Sequence, residues 1–174
     1  MKIERIEIFV TELPVRVKRI FSSGSYDTGP PQQQLGKPVL VKVHAGGVIG
    51  LGQVRAISPG HFVADTTHSM VAAIQEIYGP ALIGQDPFDI ETITAAFDAR
   101  LAGNPAARAA LDIGLYDCMG KALKLPVHKL LGGCCQPHIP LEWSVSMADD
   151  VGVMVAEARR AVEEFGMRVL CLKA

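Results

Sequence analysis

Four cysteines, Cys118, Cys134, Cys135 and Cys171, are the most reactive side chains in the sequence. None stands in a C-x-x-C arrangement, so their spacing does not suit a zinc site, and adjacent Cys134 and Cys135 do not readily bond to each other. They read as reduced, buried thiols in a reducing compartment. His61 and His68 are seven positions apart, about two turns if a helix runs there. Without a third ligand nearby they read as surface residues rather than a metal pair. Asp112 and Asp117 share no helix face well and read as packing contacts or caps. Tyr26, Arg55 and His61 are the loop residues most able to contact a polar ligand, and each also reads as a simple surface residue. Ser146 stands where a strand should end, and Lys173 is the penultimate residue. Alone, the first is an ordinary turn residue and the second a solvated chain end. What these side chains can do depends on the elements that position them.

Residues 2–13 alternate Ile3, Ile6, Ile8 and Val10 loosely against polar residues, which predicts a strand ended by Pro14. Residues 21–38, FSSGSYDTGPPQQQLGKP, lack periodicity and read as a long loop. Residues 39–44 and 48–54 read as two further strands joined by the turn at Ala45, Gly46 and Gly47, with Gly50 and Gly52 weakening the last. Together they predict a three-stranded antiparallel meander. After a second loop at 58–61, helical spacing runs over 62–78 (Val63, Thr67, Met70, Val71, Ile74, Ile77) and stops at Gly79-Pro80. A second helix is expected from Pro87 to Leu101, with Phe88, Ile90, Ile93 and Phe97 apolar. A third begins at Asn104 as N-cap and Pro105, with Ala106, Ala109, Ala110, Ile113, Tyr116 and Met119 on its apolar face. It weakens at Gly120 and stops at Leu125-Pro126, after which 126–131 is a short apolar turn of helix and Gly132-Gly133 releases the chain.

Beyond Gly133 the pattern changes. Residues 139–147 alternate as a strand, Asp149 or Asp150 can cap a helix reaching Phe165, and Gly166 suits its C-terminus. Val153, Val155, Ala158, Ala161 and Val162 are available for burial on that helix. Residues 169–172 are again strand-like, so strand, helix and strand form a βαβ unit.

Composition sets outer bounds. The chain has 174 residues, 49% hydrophobic and 20% charged, with a mean hydropathy of +0.25. These values describe a soluble globular protein of one domain, or one and a part. A net charge of −1 lacks the basic surface that nucleic acid or an anionic membrane would require. No apolar run approaches the ~20 residues of a membrane span. The opening MKIERIEIFVTELPV interrupts its apolar residues with charges, unlike a signal peptide, so a cytoplasmic location is expected.

The order of residues in 104–133, NPAARAALDIGLYDCMGKALKLPVHKLLGG, carries more than its periodicity. AR-A-A-LDIGLYD-x-x-GKAL-x-LP-V-x-x-LLGG closely resembles the end of the capping domain in mandelate racemase and muconate lactonising enzymes, a branch of the enolase superfamily. The resemblance implies an α+β capping domain over 1–131, a meander plus a helical bundle. It implies that 132–174 starts a TIM-type (β/α) barrel, the βαβ unit being its first steps. Only 41 residues follow Gly133, whereas a closed barrel typically takes about 250, so the barrel is expected to be incomplete here.

In such barrels catalytic groups stand at the C-terminal ends of strands. The family pattern K-x-K ends the second strand, and here Cys171-Leu172-Lys173 occupies it after Gly166 and the next four residues. Lys173 thus corresponds to the base that removes a proton α to a carboxylate, and Cys171 stands where the first lysine usually is. The resemblance further implies Mg²⁺ to stabilise the resulting enediolate. Its acidic ligands end the third, fourth and fifth barrel strands and are absent from this chain, so tight Mg²⁺ binding by this chain alone is not expected. A second ammonium would lower the pKa of the base, and Cys171 cannot supply that help. Ser146 falls where relatives often place a hydroxyl against the substrate carboxylate. Loops 21–38 and 54–61, with Tyr26, Arg55 and His61, correspond to loops that close over the barrel mouth, and Gln53 replaces the glutamate of a G-x-G-E-like strand. The expected function is the amino-terminal part of a Mg²⁺-dependent enzyme acting on a small carboxylate by racemisation, epimerisation, cycloisomerisation or dehydration, a homo-oligomer when whole and inactive as this chain alone. The other reading is a non-catalytic folded module, or half of an assembly completed by another chain. The apolar residues after Gly133 are expected to depend on a partner or on further chain for order.

Overall fold

The computed structural model describes residues 1–12, 18–21, 24–27, 37–55 and 64–172. Strand β1 (Ile3–Val10) pairs antiparallel with β4 (Pro38–Ala45), which pairs antiparallel with β5 (Val48–Arg55). The order β1-β4-β5 is the meander expected from the alternating β-branched residues. Central β4 sends Val39, Val41, Val43 and Ala45 into the core, all fully buried. The stretch expected as a loop over 21–38 contains part of a hairpin instead. Strand β2 (Lys18–Phe21) pairs antiparallel with β3 (Gly24–Asp27). Its Gly- and Ser-rich composition hid the strand signal.

Two helical rods cover the inner face of the sheet, and a third helix packs against them. The first differs from expectation at both ends. Helix α1 (Thr67–Ala72) starts at Thr66, whose hydroxyl accepts from Ser69 N–H while Ser69 Oγ accepts from Thr66 N–H, a reciprocal cap. A π-helical segment (Ala73–Tyr78) follows, and α2 (Gly79–Leu82) continues the same rod through Gly79-Pro80. Pro80 falls in the first turn of α2, where its missing N–H is not needed. Gly79 N–H donates to Ile74 carbonyl, five residues back, and a methyl at Gly79 would stand 2.6 Å from that oxygen. The wide turn therefore requires glycine, and the pair that reads as a stop is a joint.

Helix α3 (Ile90–Asp98) is shorter than expected. Asp86 Oδ1 accepts from Phe88 N–H at 3.1 Å, so Pro87 and Phe88 belong to a turn before the helix, and Phe88 is exposed. Helix α4 (Pro105–Leu123) has Asn104 at its N-cap position, but in the left-handed region (φ 51°) and without a side-chain cap bond. Asp65 supplies the cap instead: its Oδ2 accepts from Ala106 N–H at 3.1 Å, and the residue is buried.

The buried side of α4 is Ala107, Ala110, Leu111, Gly114, Leu115, Cys118 and Met119, whereas Ile113 and Ala109, expected inside, are exposed. The reason lies in β5. A methyl at Gly50 would stand 2.0 Å from Gly114 carbonyl, and one at Gly52 would stand 1.8 Å from Ala110 carbonyl. The bare backbone of β5 admits the small residues Ala110, Gly114 and Cys118 at closest approach, which fixes the rotation of the helix. The open edge of β5 is also fastened by α4. Asp117 Oδ2 accepts from Leu51 N–H at 2.7 Å, and Lys121 Nζ donates to Ile49 carbonyl at 2.9 Å.

Helix α4 ends at Lys124 (φ 55°), α5 (Val127–Leu130) makes one turn, and Gly132 and Gly133 take φ of 101° and 107°. Strand β6 (Glu142–Val145), helix α6 (Val151–Glu163) and β7 (Val169–Leu172) follow, with β6 and β7 parallel neighbours, so the expected βαβ unit is present. Asp150 caps α6 by accepting from Gly152 N–H at 2.7 Å. The face of α6 turned inward is Met154, Glu157, Ala158 and Ala161, while Val153, Val155 and Val162, expected to be buried, are exposed. No described helix is long and apolar enough to cross a membrane.

Candidate functional site

The end of β6 is the point where separate parts of the chain meet. Met147 N–H donates to Ile20 carbonyl at 2.8 Å, which brings hairpin β2–β3 against the residue after Ser146. Across that hairpin Ile20 faces Ser25, and Arg19 faces Tyr26. The strand carrying Tyr26 and the strand end carrying Ser146 are thereby brought together, as far as backbone placement goes.

The strand end itself is held from α6 by one carboxylate. Glu157 Oε2 accepts from Ser146 N–H at 3.2 Å, and Oε1 accepts from Trp143 Nε1–H at 3.1 Å. Trp143 in turn stacks on Phe165, rings 5.2 Å apart and 12° from parallel, and the Arg160 guanidinium lies 5.3 Å from the Phe165 ring centre. Val145, between Trp143 and Ser146, is fully buried. Ser146 is half-buried just past the strand, with its backbone donor already engaged. Sequence reasoning missed Glu157. The signal that could have found it is the stripe Met154, Glu157, Ala158, Ala161 and Phe165, spaced by three and four, in which one carboxylate faces a tryptophan.

Arg55 ends β5 opposite Pro38, at the edge of the described part of the loop at 54–61. His61 and Lys173 lie outside the described residues. Cys171 faces Ser144 across the β6–β7 pair, so strand β7 runs toward position 173 alongside the strand that ends near Ser146. Gln53 is exposed on β5. Asp117 is engaged with Leu51 and Lys121, a helix-to-sheet fastening. Asp112 lines a cleft of about 210 Å³ between α3 and α4, and burial pushes its carboxyl above the usual aspartate range. Cys118 is buried, donates to Val43 carbonyl at 3.2 Å, and is pushed up by the same burial. Cys134 and Cys135 are exposed, against the expectation of buried thiols, because the linker that carries them runs over the surface.

Among the described residues no three His, Cys, Asp or Glu side chains are placed to hold a metal ion, so they do not form a ligand set that fits Mg²⁺. What the arrangement offers is a strand end held by Glu157, a half-buried Ser146 just past it, and a hairpin docked beside it.

Similarity to known proteins bears on this geometry. Residues 26–132 match the family described as "Mandelate racemase / muconate lactonizing enzyme, N-terminal domain". The N-succinyl-L-Arg/Lys racemase of Bacillus cereus is 32% identical over 173 residues, covering 97% of this chain and 44% of the relative. Its crystal structure superposes with a TM-score of 0.83. A chloromuconate cycloisomerase of Cupriavidus necator is 30% identical, covering 92% of this chain and 43% of the relative. The structure of a dipeptide epimerase from Enterococcus faecalis, complexed with Mg and the dipeptide L-Leu-L-Tyr, has a TM-score of 0.83 at 27% identity, covering the whole of this chain and 46% of that one. The chain thus spans less than half the length of these relatives. With the docked hairpin, the meander and helix α4 all in place, the chain belongs to the mandelate racemase / muconate lactonizing enzyme family of the enolase superfamily, of which it carries the N-terminal domain.

Proposed function

We propose that residues 1–131 are the capping domain, and residues 132–174 the opening of the (β/α) barrel, of an enzyme that removes the proton α to a carboxylate. The observation that carries this reading is the hydrogen bond from Met147 to Ile20, which seats a capping-domain hairpin on the C-terminal end of β6. In (β/α) barrels that end of the strands is where chemistry is done. A hairpin there shields reacting groups from water and contributes to choice of substrate.

In this proposal Lys173 is the base, reached by continuing β7 past Leu172, and the Ser146 hydroxyl contacts the substrate carboxylate. Tyr26 from the hairpin, and Arg55 and His61 from the segment at 54–61, contact the distal part of the substrate. Removing such a proton creates a second negative charge on the substrate. Mg²⁺ bound in the whole enzyme would offset that charge, its ligands coming from barrel strands other than β6 and β7. The substrate class that the relatives suggest is a small carboxylate such as an N-succinyl amino acid, a dipeptide or a muconate, with racemisation, epimerisation or cycloisomerisation as the reaction. The whole enzyme is proposed to be a homo-oligomer.

The test uses the full-length protein with Mg²⁺ in deuterated water. N-succinyl-L-arginine, N-succinyl-L-lysine, L-Leu-L-Tyr and muconate are the probes, read by NMR for α-deuteration or lactone formation. The expected result is solvent deuterium at the α carbon, or lactone, in at least one of them, abolished by Lys173→Ala. Turnover undiminished in Lys173→Ala would overturn the assignment of the base, and absence of exchange or lactone with all four would overturn the substrate class.

A further inference from the structure

Cys134 and Cys135 are both exposed, in the segment that joins α5 to β6. The glycines before them leave the site open: a methyl at Gly132 or Gly133 would meet nothing within 4 Å. The other two cysteines are differently placed. Cys118 is buried and bonded to Val43 carbonyl, and Cys171 is half-buried within β7.

The stretch of sequence that carries the pair offers soft donors. Between Asp117 and Glu142 it has no carboxylate, and its imidazoles are those of His128 and His138. Magnesium and calcium require oxygen ligands, whereas thiols and imidazoles suit thiophilic and borderline centres. The two thiols also close poorly on each other. A disulfide has an S–S bond of about 2.05 Å and usually spans Cα atoms 4.4–6.8 Å apart, while neighbouring residues hold theirs at about 3.8 Å. An atom inserted between the sulfurs enlarges the ring that must close and leaves the sulfurs farther apart, which relieves the strain of direct S–S bonding.

We propose that Cys134 and Cys135 form a two-thiol chelating site for trivalent arsenicals, separate from the carboxylate chemistry proposed above. With phenylarsine oxide the As=O bond and two S–H bonds are replaced by two As–S bonds. The oxygen leaves as water with both thiol protons, arsenic stays trivalent and no electrons are transferred. Once the first As–S bond forms, the second thiol is held beside it at high effective concentration. The pair therefore retains the arsenical roughly 10²–10⁴-fold more tightly than one thiol does.

The experiment treats the 174-residue chain with phenylarsine oxide and follows it by intact-protein mass spectrometry. One phenylarsine group is expected, retained in excess 2-mercaptoethanol and released by dithiothreitol. Cys134→Ser and Cys135→Ser are each expected to lose retention by about 100-fold or more, whereas Cys171→Ser keeps it. Undiminished retention in either linker variant overturns the proposal, as does an adduct that peptide mapping places on Cys118 or Cys171. Iodoacetamide serves as the accessibility control: a chain in which both linker thiols alkylate but no phenylarsine is retained also overturns it.

Discussion

On the meander, α4 lies so close to β5 that a methyl at Gly52 would stand 1.8 Å from Ala110 carbonyl. On the βαβ unit, α6 covers β6 with Met154, Glu157, Ala158 and Ala161 but leaves Val151, Val153 and Val155 each more than half exposed. The strands differ in the same way. Central β4 is buried through Val39, Val41, Val43 and Ala45, whereas Leu172 of β7 is 63% exposed and Ile139, before β6, is 78% exposed. Trp143 and Val145 do find cover, under Phe165 and α6. The first region completes a core of its own. The second completes one side of one, as expected of two strands and a helix, which bury too little apolar surface to be independently stable.

The largest expected consequence of that difference is in amide exchange. In the 174-residue chain, amides of β4 and α4 should open only with global unfolding, and those of β6, α6 and β7 at several kcal/mol less. Equal protection in both regions of a proven monomer would break the comparison. Next in size is Gly52→Ala, which forces α4 off the sheet and should cost about 3 kcal/mol or more, read from urea denaturation. Unchanged stability would mean that the close approach is not what holds the helix. Glu157→Ala should cost about 1–3 kcal/mol, confined to the second region. Trp143 is the only tryptophan, so its fluorescence reports this locally, and a shift without any change in the meander's amide exchange is the expected pattern. Asp65→Ala removes the cap on α4 and should lower stability by about 1 kcal/mol, again read from urea denaturation.

The smallest effect is a pH dependence in the first region. The Met1 ammonium, 2.6 Å from Asp86, and then the Phe88 N–H hold the Asp86 carboxyl below its ordinary value of 3.8. His44 and then Arg5 do the same for Glu7, ordinarily 4.5. A carboxyl with a depressed folded-state pKa stabilises fully above its unfolded value, and the contribution is lost as pH falls through the folded value. Urea midpoints should therefore fall below about pH 4, less steeply in Asp86→Asn; identical slopes would sink the claim.

The strands of the meander were legible because alternating β-branched residues face a single core. Helix α4 was legible as a helix but not in phase. Its residues are apolar or small nearly all round, so periodicity alone could not choose between the Ala109–Ile113 side and the Ala110–Gly114 side. The choice is made by Gly50 and Gly52, which in a bare sequence look only like weak points of a strand. The hairpin within 21–38 was hidden by Gly and Ser, and the continuation through Gly79-Pro80 by two residues that usually stop helices. For the candidate site, the sequence located Ser146 near a strand end, and the structure puts it at one. It could not reveal that Glu157 holds that end, since the bond joins residues 11 apart across two elements. His61 and Lys173 fall outside the described residues, and their proposed roles rest on the family resemblance.

The π-helical segment at Ala73–Tyr78 has a bearing on how this helix can vary among relatives. Such a wide turn amounts to one residue more than the α-helical path needs, absorbed locally so that the helix on either side keeps its phase. A version of the chain lacking one residue between 73 and 78 could take plain α geometry there and still present Met70 and Leu82 to the same core. A deletion anywhere else in the rod would turn the following residues by about 100° and carry their side chains away from it. The segment is thus the place in the first helix where a change of length is least costly, and alignments with shorter relatives are expected to place their gap there.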